Sequence, residues 1–137
     1  MILDTTSAPV TFFDSTYDEA MALTREARDY LMHHNRGERA KLTPEAQMWA
    51  SCETMRVTAR LTQVMAWLLV QKAVHAGEIT RIEAAEPRHR LAGKEICDVT
   101  GCIDEIPLQP GLMQLLERSH RLYQRVARLD SMLDRAS

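Results

Sequence analysis

Apolar positions recur at steps of three and four along three stretches of the chain, the period of helices that bury one side. In the first stretch Tyr17, Ala20, Met21, Thr24, Ala27 and Leu31 keep that step, and Thr16 with Glu19 makes a T-x-x-E capping box that predicts the helix start. Asn35 to Gly37 supplies its stop signal. Before it, Met1 to Val10 show no periodicity, so residues 1–11 are expected to form a flexible arm. The second start is sharper. Thr43 as N-cap, Pro44 at the first helical position and Glu45 in the first turn open a run without glycine or proline until Gly77, predicting a helix from Pro44 to about Ala76. Thr80 and Glu83 form another capping box, and Pro87 limits that helix to about two turns. From Pro87 to Pro110 the periodicity fails and a loop is expected. The last stretch carries a heptad: Leu112, Leu115, Ser119, Leu122, Val126, Leu129 and Leu133. The expected fold is all-α, an antiparallel three-helix bundle over residues 12–135, with a long central helix and a crossover loop between helices 2 and 3.

The central helix contains LTQVMAWLLVQKAV, Leu61 to Val74, with Lys72 as its single charge. A membrane span needs about 20 apolar residues, so this stretch predicts a buried helix in a protein that does not cross a membrane. Projected at about 100 degrees per residue, one face carries Met48, Cys52, Met55, Ala59, Thr62, Ala66, Leu69 and Ala73, the expected core seam. The opposite side carries Trp49, Glu53, Arg56, Arg60, Val64, Trp67, Gln71 and Val74. A helix apolar nearly all round is enclosed by protein, and two other helices cover only part of it. A second copy of the chain is the economical cover, which makes Trp49, Val64, Trp67, Gln71 and Val74 a candidate homodimer interface. The alternative is that the loop after Pro87, with Leu91, Ile96, Val99, Ile103, Ile106 and Leu108, folds back over that side.

Composition narrows the function classes. Seventeen basic and nineteen acidic side chains leave a net charge of -2 in 137 residues, which gives no general field for a polyanion and makes nucleic acid an improbable partner. Three cysteines and no basic leader before Asp4 suggest a reducing cytoplasm. Cys97 and Cys102 form C-x4-C near His89, Asp98 and Asp104. One loose pair falls short of the four ligands of structural zinc, so two reduced thiols are the plainer reading. His33 and His34 are adjacent on a helix and diverge. No H-E-x-x-H, G-x-S-x-G or glycine-rich phosphate loop occurs. Neither an enzyme nor a bound cofactor or metal is expected. Arg118, Arg121, Arg125 and Arg128 form a basic stripe beside the final heptad. They would either pair with acids such as Glu26 and Asp29 or dock an acidic partner, with DNA as a lesser alternative.

Two blocks, LTQVMAWLLVQKAVHAGEIT and LLERSHRLYQRVARLD, resemble the RcdA family, also known as DUF1465, over most of the chain from Phe12 to Asp130. These are small bacterial cell-cycle adaptors named as regulators of degradation of the response regulator CtrA. The resemblance implies a three-helix bundle that dimerises and a non-enzymatic role. That role is to tether protein substrates to the ClpXP protease together with a primed response-regulator partner. It supplies no motif that fixes cargo identity. Family members carry an extension beyond the last helix, whereas this chain ends at SMLDRAS, so functions of such a tail are not expected to transfer.

Overall fold

A computed structural model describes the backbone of residues 2–100 and 106–136, with side chains over 12–100 and 106–133. Three long helices dominate: α1 (Ile2–His33), α3 (Pro44–His75) and α6 (Pro110–Ala136). Short helices α2 (Asn35–Arg39), α4 (Arg81–Ala84) and α5 (Lys94–Cys97) lie in the connections, and the described residues contain no strand. The protein is all-α.

Local chemistry explains the ends of α3 and α4. The Thr43 hydroxyl accepts the Ala46 N–H at 3.2 Å, and Pro44 follows where no amide is required. At the other end Gly77, at φ +76°, closes a Schellman motif. The Glu78 N–H reaches the Ala73 carbonyl at 2.9 Å and the Gly77 N–H reaches that of Val74 at 3.0 Å. The expected capping box of α4 forms in both directions between Thr80 and Glu83. The one at Thr16 does not start a helix, because α1 already runs from Ile2 and Thr16 is buried within it. The backbone of residues 2–11 is therefore helical, where no regular structure was expected.

Cross-helix contacts give the directions. Glu19 meets Arg125 and Glu26 meets Arg118, so α1 and α6 run in opposite senses. Arg60 reaches Leu116 and Trp67 reaches Asp130, so α3 and α6 run in the same sense. An antiparallel arrangement of all neighbours is thus corrected for this pair. The long connection from Ala76 to Gln109 returns the chain to the far end before α6 begins.

The core gathers Phe13, Leu23, Val57, Val64, Trp67, Leu68, Leu112, Leu116, Leu122 and Val126. The heptad of α6 is buried from Leu112 through Val126, while Leu133 is exposed. On α3 the expected faces are exchanged. Val57, Leu61, Val64, Trp67 and Leu68 point inward, whereas Met48, Cys52, Met55 and Leu69 are exposed, Met55 at 73%. The inward stripe carries the bulky groups that fill space between helices, and the outward one alternates Met or Leu with small residues.

Candidate functional site

The five residues expected at a dimer interface do not form a free surface. Val64, Trp67 and Gln71 are buried within the single chain, and Trp49 and Val74 are half-buried. Trp67 is 2% exposed: the Phe13 ring meets it edge-on at 5.7 Å, and its indole N–H donates to Asp130 Oδ1 at 2.9 Å. Arg90 clasps the same carboxylate through Nε at 2.7 Å and Nη2 at 2.9 Å. Helices α1 and α6 therefore cover Trp67. The loop contributes a buried Cys97 and Leu108 and half-buried Leu91 and Ile106, which pack on the core, while Ile96 and Val99 remain exposed; Ile103 lies outside the described residues. Lys72 sits 4.1 Å over the Tyr17 ring and 3.7 Å from Asp14, so the one charge in the apolar run is answered by α1.

Three charged residues of α3, Glu53, Arg56 and Arg60, form a structural clamp. Arg60 is 1% exposed and makes four hydrogen bonds. Its Nε donates to the Cys97 carbonyl at 2.7 Å and Nη2 to that of Val99 at 2.8 Å; Nη1 donates to the Leu116 carbonyl at 2.9 Å and to Ser119 Oγ at 3.2 Å. Burial pulls the guanidinium pKa below its usual value, and the neighbouring charge of Arg56 adds to this. About two turns away, fully buried Glu53 accepts from Arg56 Nε at 3.2 Å, and Arg56 also donates to the Ile96 carbonyl. These arginines fasten the α5 segment to α3 and α6. Sequence reasoning placed Arg60 on an outward face because its acceptors, mostly backbone carbonyls, lie far along the chain.

Cys97 is buried, and burial pushes its thiol pKa upward. Cys102 lies outside the described residues, so the C-x4-C pair is not formed or broken by anything described. Among the described residues, no group of three His, Cys, Asp or Glu side chains could hold a metal ion, and no helix is long and apolar enough to cross a membrane.

The arginine stripe resolves residue by residue. Arg118 pairs with Glu26 and Arg121 with Glu117, and Arg125 grips Glu19 through two bonds at 2.6 and 2.9 Å. Asp29, the other acid expected to answer the stripe, pairs with its neighbour Arg28. Arg128 is exposed, with no acidic partner among the described residues, and lines a groove with Lys94. The Arg125 hydrogen bond holds the Glu19 carboxyl below its ordinary value of 4.5. A depressed carboxyl contributes stability above its unfolded pKa and loses it as pH falls through the folded one. Both partners are substantially solvated, so Glu19→Gln is expected to cost under about 1 kcal/mol at pH 7. In urea titrations the difference from wild type should shrink as the pH is lowered from the ordinary carboxyl range through the depressed pKa of Glu19.

The family model described as a protein of unknown function, DUF1465, matches residues 5–137. The crystal structure of RcdA from Caulobacter crescentus CB15 is similar at a TM-score of 0.71, with 38% sequence identity over 88% of this chain and 89% of that one. No curated protein matches. With the family model covering nearly the whole chain and a solved relative agreeing in sequence and in shape, the chain belongs to the RcdA family, DUF1465.

Proposed function

We propose that this protein is a non-enzymatic adaptor that recruits protein substrates to the ClpXP protease in cell-cycle-regulated proteolysis, working in the cytoplasm as a dimer of three-helix bundles. Membership of the RcdA family is the observation that carries this reading. Adaptors need surfaces rather than catalytic groups: holding cargo and unfoldase together raises the cargo's effective concentration without new chemistry.

The outward stripe of α3 supports the dimer. Met48, Cys52, Met55, Ala59, Thr62, Ala66, Leu69 and Ala73 alternate steps of four and three and include no charge, the pattern of a helix–helix seam. Two copies laid antiparallel about an axis between Ala59 and Thr62 bring Met48 opposite Ala73, Cys52 opposite Leu69 and Met55 opposite Ala66. Each large side chain then meets a small one, and the same patch serves both copies, as a twofold interface requires. The dimer expected from sequence is retained on the other face of the helix.

Reconstituted proteolysis tests the adaptor role. With ClpXP, the response-regulator partner and a panel of candidate cargo proteins, adding this protein should speed the loss of at least one cargo while ATP hydrolysis by the unfoldase continues. Unchanged degradation of every cargo would remove the proposal.

A further inference from the structure

Beside α5 and the C-terminal half of α6 lies an open groove of about 380 Å³. Lys94 and Arg128 line it, both exposed and neither with an acidic partner among the described residues. The groove's own acid is engaged: Asp98 Oδ1 lies 3.2 Å from His120 Nε2 and accepts from Gln124 Nε2 at 3.4 Å. Ala127 and the half-exposed thioether of Met132 add apolar surface, and Ser131 adds a hydroxyl. Arg118, Arg121 and Arg125 of the same helix are neutralised within the chain. Of these four stripe arginines, Arg128 alone keeps its charge unpaired among the described residues, and Lys94 adds a second cation beside it.

We propose that this groove is a docking site for a short extended segment of a partner protein in which an acidic residue neighbours an apolar one. Charge complementarity selects the acid, because the two cations Lys94 and Arg128 outnumber the groove's one carboxylate, Asp98, and neither makes an ion pair with it. The apolar wall selects its neighbour, since an unbranched thioether adapts to side chains of different shape. The volume falls at the low end of the range of about 300–1,000 Å³ for ligand pockets, room for a few side chains. A nucleic acid is disfavoured: two cations neutralise about two phosphates, against the six to ten contacts of strong binders, and a phosphate backbone gains nothing from Met132. The inference rests on the adaptor reading only in taking a protein as the occupant.

The test uses the full-length protein and a fluorescent peptide of alternating leucine and glutamate, without protease. Saturable binding is expected, with amide shifts centred on Lys94, Gln124, Arg128 and Met132. The double variant Lys94→Glu, Arg128→Glu should lose at least tenfold in affinity and should instead bind a leucine–lysine peptide. Replacing glutamate by glutamine in the probe should cost a similar factor, and Arg118→Gln should change affinity by less than twofold. If the double variant loses its helical signal, the single change Arg128→Gln should still weaken binding at least threefold. Equal affinity for the glutamine peptide, shifts centred on the outward face of α3, or displacement of the peptide by lower concentrations of oligothymidine would each overturn the proposal. Failure here with cargo degradation intact would remove the groove and leave the adaptor role standing.

Discussion

Arg60→Met is expected to destabilise the fold by about 3–5 kcal/mol, the range for removing one member of a buried charge cluster. Methionine fills similar volume, so the loss reads hydrogen bonding rather than a cavity. Four bonds disappear together: the carbonyls of Cys97, Val99 and Leu116 and the Ser119 hydroxyl each lose a donor. Glu53, buried and already holding an unpartnered Oε1, also loses a nearby positive charge. Arg60→Lys should recover little, because an ammonium cannot reach acceptors spread around a planar fork. Urea unfolding gives the free energy. A local readout separates the clamp from general weakening: with Cys52 and Cys102 replaced by serine, alkylation of Cys97 should be slow in the parent and much faster in the Arg60→Met variant below the unfolding transition. A cost under 1 kcal/mol with Cys97 still protected would show that α5 is held by something else.

The same residue marks where sequence stops determining the structure. Helix ends were legible because capping is local: Thr43, Pro44, Gly77, Thr80 and Glu83 act within a few residues of one another. Heptad spacing located the inward side of α6 because its other face is plainly charged. On α3 two stripes, one uncharged and one mixing tryptophan and valine with charge, share one period, and periodicity alone does not say which turns inward. Charge suggested that Glu53, Arg56 and Arg60 lay outside, yet the loop carbonyls that satisfy Arg60 come from Cys97 and Val99. Side-chain bulk was the better guide, since Trp67, Leu61 and Leu68 fill more space than Ala59, Thr62 and Ala66. The arginine stripe was similarly ambiguous: its neutralisation depends on the α1–α6 register, which sets Glu19 and Glu26 against Arg125 and Arg118 and leaves Arg128 over.

The exchange of faces moves the decisive test of assembly from Trp67 to Ala66. Ala66 is exposed in the single chain, and glutamate is a good helix former, so Ala66→Glu should leave the fold of each copy intact. In the proposed antiparallel pairing the new carboxylate would lie against the partner's Met55 on a stripe that includes no charge, and symmetry repeats the fault twice. At the lower end of about 3 kcal/mol for each unpaired buried charge, the two together weaken association by about 6 kcal/mol, or roughly four powers of ten in Kd. Sedimentation at micromolar concentration should therefore find a folded monomer for the variant and, if the proposed pairing holds, a dimer for the parent chain. Trp67→Phe, a change buried inside the chain, should sediment as the parent does. Register has its own check: cysteines at positions 59 and 62 should cross-link two copies under mild oxidation, because the axis between Ala59 and Thr62 brings each against the other. An Ala66→Glu protein that remains dimeric would place the interface elsewhere and return the outward stripe of α3 to solvent.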